Sequence, residues 1–194
     1  ARAAIDPAFL DTPQEDAPSL GAVLGCELTL KVETRNPVGS FKGRGTETVM
    51  AGLVETSRAP AAVCASAGNL GSALAWSGAR RGVAVTVVAS ERASPVKLVR
   101  IREFGAQVRL AGTDIEDARA VAREVAERDG IRLVEDSLDL ETCEGAGTIG
   151  LELFGEPDRF DVVVVALGGG ALATGVGCTA RALAPGAEVL AVQP

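Results

Sequence analysis

Residues 61–104 read AAVCASAGNLGSALAWSGARRGVAVTVVASERASPVKLVRIREF. Two short runs rich in Val and Ala, at 61–65 and 83–89, are each followed by a longer segment of helical period, at 70–81 and 95–104. This is a repeated strand–helix unit. The same rhythm runs outward in both directions: a strand at 28–33 before it, then strand 106–110, helix 115–128, strand 131–135 and a helix near 148–154. Residues 161–167 form a nearly unbroken apolar strand, suited to burial on both faces of a parallel sheet, and a last strand follows at 188–192. Residues 11–19, with Pro13 and Pro18 among acidic side chains, read as an irregular lead-in. The alternation predicts an α/β protein of open, doubly wound parallel sheets with helices on both faces. Ligands of such sheets sit outside the carboxyl ends of the strands, so function belongs in the strand-to-helix turns.

Composition narrows the chemistry. The chain has 194 residues, 47% of them hydrophobic but only 3% aromatic, which implies a core of Ala, Val and Leu. Its net charge is −7 with basic residues scattered among acidic ones, unlike the basic stripe that nucleic acid requires, so a small-molecule partner is expected. No apolar run approaches the roughly 20 residues that cross a bilayer, and a cytoplasmic protein with no membrane partner is expected. The cysteines Cys26, Cys64, Cys143 and Cys178 are too widely spaced for a disulfide framework and read as buried thiols. There is no histidine, which excludes His-based triads, His-ligated zinc and a histidine base. Lysine, carboxylates, hydroxyls or a bound cofactor must carry any chemistry.

Three turns place glycine or small polar residues where a strand gives way to a helix. The first, Asn36-Pro37-Val38-Gly39-Ser40-Phe41-Lys42-Gly43-Arg44-Gly45, contains one of only three lysines, with Lys31 and Lys97. Lysine can lose its proton when desolvated and so serve as a Schiff-base amine, which arginine cannot. Spacing alone favours the plainer reading, a solvated lysine on the first turn of a helix capped by Ser40. The second, Ser66-Ala67-Gly68-Asn69-Leu70-Gly71, could cradle a carboxylate on backbone amides, although Ser, Gly and Asn suit any turn. In the third, Gly168-Gly169-Gly170-Ala171-Leu172, consecutive glycines after a buried strand suit phosphate binding by free N–H groups and a helix dipole. A dinucleotide fingerprint fails there, because Ala173 stands where the third glycine is due.

Taken in this order, the three turns resemble the signature of the fold type II (tryptophan synthase β-like) pyridoxal-phosphate-dependent enzymes, nearest the serine/threonine dehydratase and threonine synthase group. Lys31-Val32-Glu33, Asn36-Pro37, Gly39-Ser40-Phe41-Lys42 and Arg44-Gly45 follow that family's cofactor-lysine motif, which implies that Lys42 is the catalytic lysine and binds pyridoxal 5'-phosphate as a Schiff base. The resemblance implies that Ser66, Ala67, Gly68, Asn69 and Leu70 form the substrate loop. Ser66 and the amides would hold an amino-acid carboxylate, and Asn69 would touch the cofactor's ring hydroxyl. It implies that Gly168, Gly169, Gly170, Ala171 and Leu172 hold the cofactor phosphate, with Ala171 where a fourth glycine is commoner. The stretches 97–108 and 145–152, the latter with Thr148, also resemble family positions. On this basis residues 1–39 and 136–194 belong to a larger cofactor-binding domain, incomplete at its C-terminal end, and 40–135 to a smaller substrate-side domain that closes over it. A homodimer is expected, and no metal site is legible.

The preferred activity is an ammonia-lyase (dehydratase) acting on serine- or threonine-like amino acids by β-elimination. Leu70 stands where dehydratases often carry histidine, and Asn36-Pro37 with Glu144-Gly145 leans towards threonine synthase, whereas 147–152 look like a dehydratase. A threonine synthase-like or cysteine synthase-like replacement enzyme is therefore the alternative. A catalytically silent fragment or binding module is a third reading, favoured by the early chain end and opposed by the intact Lys42. Plain readings are expected elsewhere. Asp114, Glu116 and Asp117 suit a helix start, Trp76 suits core or interface packing, and Arg80 and Arg81 suit a solvated helix end. Asp136 and Ser137 follow a strand and are equally balanced between cleft and surface.

Overall fold

A computed structural model describes residues 1–155 and 159–193. Four parallel strands, β3 (Ala61–Ala65), β4 (Ala84–Ala89), β5 (Gln107–Leu110) and β6 (Arg132–Leu133), form one sheet in the order β5-β4-β3-β6. Alternate residues of β3 and β4 enter different cores, as the two-residue period of a strand requires. Ala62, Cys64, Val85 and Val87 pack with Met50, Leu74 and Ile101, whereas Val63 and Val88 pack with Ala118, Ala122 and Val125. The first group brings α2 (Lys42–Thr56), α3 (Asn69–Arg81) and α4 (Pro95–Glu103) onto one face. The second brings α5 (Ile115–Asp129) onto the other. The sheet is doubly wound, as expected.

Most termini follow local chemistry. Pro95 occupies the first turn of α4, Asp114 caps α5 by accepting from the Glu116 and Asp117 amides, and Gly82 ends α3 at φ +67°.

The lead-in is more ordered than its composition suggests. Strand β1 (Gln14–Asp16) pairs antiparallel with β2 (Thr29–Lys31), and α1 (Pro18–Leu24) lies between them. Three-residue strands are too short to show alternation. Phe9, fully buried, meets Trp76 edge-on at 4.9 Å, which gives Trp76 its packing role. Arg81 is not a plain solvated end: it donates to Ala4 O and, at 2.6 Å, to the buried Glu47 carboxylate.

The remaining elements are α6 (Leu140–Leu153), β7 (Val162–Ala166), α7 (Ala171–Leu183) and β8 (Glu188–Val192), with β7 and β8 paired in parallel. Ile149, Val165 and Val176 share a core between these strands and helices. Burial on both faces of β7 is not found. Val165 is 7% exposed but Val164 is 64%, because α6 and α7 cover one face of a two-stranded sheet. Helix α6 begins well before residue 148. Its Gly145 and Gly147 weaken a helical pattern yet let α2 and α7 approach closely.

The thiols also depart from expectation. All four are free, but only Cys64 is fully buried, while Cys26 and Cys178 are exposed. Burial pushes the Cys64 thiol up to about 12, with the Asp136 carboxylate adding to the shift. A disulfide-exchange reagent is expected to modify Cys26 and Cys178 in the native chain and to reach Cys64 only after unfolding, as read by peptide mass mapping. Prompt native labelling of Cys64 would contradict this packing.

Candidate active site

Asn36 builds the turn that delivers Lys42. Its Oδ1 accepts from the amides of Val38 and Gly39 at 3.1 and 2.9 Å, and its Nδ2 donates to Glu33 O and Ser40 O. Helix α2 then starts at Lys42 with Phe41 as its cap residue. Ser40 makes no capping bond, its buried Oγ having no hydrogen-bond partner, so the expected Ser40 cap is corrected. The Asn36 side chain has already taken up the turn's amides.

Lys42 is not solvated either. Its side chain is 17% exposed, its Nζ lies 2.5 Å from Asp136 Oδ2, and the ammonium sits 4.4 Å from the Phe41 ring centroid. Asp136 follows β6 and therefore stands at the same carboxyl edge of the sheet as the 66–69 turn that follows β3. The neighbouring Ser137, at φ +68°, turns its Oγ to accept from the Ala171 amide at 3.1 Å. Lys42 and the start of α7 are thus tied to consecutive residues.

Glycine is required in that second contact, since a Cβ on Gly169 would lie 2.6 Å from Ser137 Oγ. Gly168 and Gly170 have nothing within 4 Å of where a Cβ would stand, and Gly170 sits at φ +109°. The loop therefore leaves open space in front of a helix N-terminus whose first-turn N–H groups lack intrahelical partners.

A cavity of about 280 Å³ opens beside Asp136, Ser137 and Gly169, and Lys42, Gly168, Gly170, Ala171 and Leu172 are not among its lining residues. Ala65, Leu70, Asp136, Ser137 and Gly169 line it, together with Glu135, Arg119 and Arg123. Its walls thus bring the flanks of the 66–69 turn to the glycine loop. Ser66, Ala67, Gly68 and Asn69 themselves are not among the lining residues. The Ser66 hydroxyl accepts from the Gly68 amide at 3.1 Å, and Asn69 is exposed at the start of α3.

Two residues along α2, Arg44 is fully buried at the centre of an ionic network. It forks onto Glu33 at 2.9 and 2.8 Å and onto Glu152 at 2.6 and 2.9 Å, and also donates to Thr148 and Thr12. Lys31 reaches Glu152 at 2.6 Å. Burial opposes the Arg44 charge, but hydrogen bonds to Glu152 and Glu33 overcome it and its pKa is raised. Burial likewise opposes the Glu152 charge, yet Arg44 and Lys31 hold that carboxyl down at about 2. Two cations and two carboxylates thus clamp β2, α2 and α6 together beside Lys42.

Asp136 and Ser137 are the contacts that sequence reasoning left undecided. A two-residue strand offers no period from which to infer where the next side chains point. Among the described residues, no group of three or more Cys, Asp or Glu side chains could hold a metal ion, and no helix is long and apolar enough to cross a membrane.

A lysine amine and a glycine-opened helix start are thus linked through Asp136 and Ser137, which follow a parallel strand at the edge where open α/β sheets take their ligands. The sequence profile of the pyridoxal-phosphate dependent enzyme family matches residues 5–194, and the chain belongs to that family. It is 36% identical over 192 residues to the L-threonine dehydratase biosynthetic IlvA of Salmonella typhimurium, covering 99% of this chain and 37% of that protein. It is 31% identical over 194 residues to a serine racemase of Oryza sativa subsp. indica, covering 100% of this chain and 57% of that one. Among solved structures, the processed form of threonine deaminase isoform 2 from Solanum lycopersicum superposes with a TM-score of 0.89 at 30% identity. That match covers 97% of this chain and 53% of that one. The chain spans between about a third and three fifths of the length of these relatives.

Proposed function

We propose that this chain carries the lysine and the phosphate cradle of a pyridoxal-phosphate-dependent ammonia-lyase acting on serine- or threonine-like amino acids. One observation carries the reading: Lys42 and the N-terminus of the 13-residue helix α7 are held by consecutive residues, Asp136 and Ser137. The donor set fits the cofactor, with an amine for its aldehyde and a glycine-opened helix start for its phosphate.

When bound, the cofactor supplies an electron sink beside the substrate α-carbon. Lys42 would hold it through Nζ and, when free of it, take the α-proton at the same atom. The amides from Gly168 to Leu172 would hold the phosphate. Those from Ser66 to Leu70, with the Ser66 hydroxyl, would orient the substrate carboxylate, and Asn69 would stand by the ring hydroxyl. Residues 40–135 would act as the smaller domain, closing over 1–39 and 136–194 to keep water from the reacting carbon. An amino acid is the small-molecule partner, and homodimeric assembly in the cytoplasm completes the proposal.

Adding pyridoxal phosphate to the protein that carries this chain is expected to raise a visible absorption band, absent in Lys42→Ala. Serine or threonine should then yield a keto acid. Failure of the intact protein to develop the band would overturn the assignment, and a band without keto-acid release would shift it to a replacement reaction or racemisation.

A further inference from the structure

Asp136 is placed to do more than close a turn. Its Oδ2 lies 2.5 Å from Lys42 Nζ, and both side chains are largely withdrawn from water, at 17% and 25% exposure. Its other oxygen, Oδ1, is buried with no hydrogen-bond partner. A carboxylate whose role was to staple a loop would be expected to spread its bonds over loop amides, as Asp139 does in accepting from the Glu135 N–H at 2.9 Å. Asp136 instead commits its satisfied oxygen to the lysine nitrogen. Other charged groups in its cavity are otherwise engaged: Arg123 pairs with Glu135 at 2.6 Å, and Arg119 pairs with Glu116.

Resting on the lysine assignment proposed above, we infer that Asp136 is a further catalytic residue, the carboxylate that pairs with Lys42 Nζ and engages it in both the cofactor-free and the working site. In the cofactor-free site, the 2.5 Å contact with Asp136 engages Nζ and so restrains the amine as a nucleophile. In turnover the same contact serves the proton transfer to Nζ. When Nζ takes a substrate α-proton, the C–H bond breaks and leaves its electron pair with the substrate, an N–H bond forms from the Nζ lone pair, and the new ammonium meets a carboxylate already in place. Asp136 gains no proton in this step; it stabilises the cation that the step creates.

Competitive labelling of the cofactor-free protein with a neutral acylating reagent tests the restraint directly, with exposed Lys97 as the internal standard. Asp136→Asn is expected to raise the labelling rate of Lys42 relative to Lys97 by about tenfold or more, and Asp136→Glu to keep it near the parent value. Asp136→Ala repeats the measurement should the Asn variant fail to fold, as judged by Trp76 fluorescence. In the cofactor-loaded enzyme, Asp136→Asn is expected to lower kcat much more than it changes KM and to enlarge the isotope effect with α-deuterated substrate. Unchanged relative labelling in the folded Asn or Ala variant overturns the inference. So does an unchanged kcat and isotope effect. Absence of a cofactor band in the parent protein would instead sink the proposed function, leaving the labelling result to judge the contact between Asp136 and Lys42.

Discussion

Arg44→Met is expected to remove about 3–5 kcal/mol of folding stability, the cost of breaking a buried ion pair by deleting one partner. The charges explain why the effect is large. Arg44 and Lys31 balance Glu33 and Glu152, and the methionine variant leaves Lys31, with the more exposed Arg2 at 3.7 Å from Glu152, facing two carboxylates. Glu152 has a side chain only 3% exposed and so cannot recover the lost bonds from water. Against a typical total of about 5–15 kcal/mol, such a loss takes roughly a fifth or more of the protein's stability. Urea unfolding followed by Trp76 fluorescence reads it as a shifted midpoint. Adding Glu33→Gln to Arg44→Met should recover part of the loss, because Lys31 and Glu152 then remain as a balanced pair. A single-variant loss below about 1 kcal/mol, the range of an exposed pair, would mean that the network does not hold α2 in place.

That network shows where sequence reading stops. Arg44 stood out as part of the lysine motif, but its partners lie 11 residues away at Glu33 and 108 away at Glu152. Nothing local in the chain joins them. The long regular elements were legible because one period runs through each: the predicted strand at 61–65 is β3, and the predicted helix at 70–81 is α3 less one residue. Where the period is broken or too short, the reading failed. The strand expected over 131–135 shrinks to Arg132–Leu133, and β1 within the lead-in was missed. In the candidate site, glycine-rich turns drew attention to Lys42, the 66–69 turn and the loop before α7, since close backbone approach selects glycine. Asp136 and Ser137 carry no such signal. They are ordinary turn residues whose importance comes from the elements that meet them.

Helix α6 brings the lysine and the glycine loop into register, and Gly145→Ala is expected to disturb both. A Cβ at Gly145 would lie 2.5 Å from the carbonyl carbon and oxygen of Arg44 and from Gly45 Cα. These are backbone atoms of α2, so no side-chain rotation relieves the overlap and the helices must separate. On its other side α6 approaches α7 as closely, because a Cβ on Gly175 would meet Gly147 N at 2.4 Å. The two small-residue contacts set how far Lys42 stands from the start of α7. Overpacking of this kind costs about 1–3 kcal/mol in ordinary cores, and a contact with rigid backbone belongs at the upper end. Gly52→Ala, on the exposed side of α2 with nothing within 4 Å of the new methyl, is the matched control. It is expected to stabilise by about 0.5–1 kcal/mol through helix propensity. Opposite signs for the two variants in urea unfolding would establish the close contact of α2 and α6. If Gly145→Ala were as benign as Gly52→Ala, the helices would have slack, and the spacing of Lys42 from the glycine loop would need another cause.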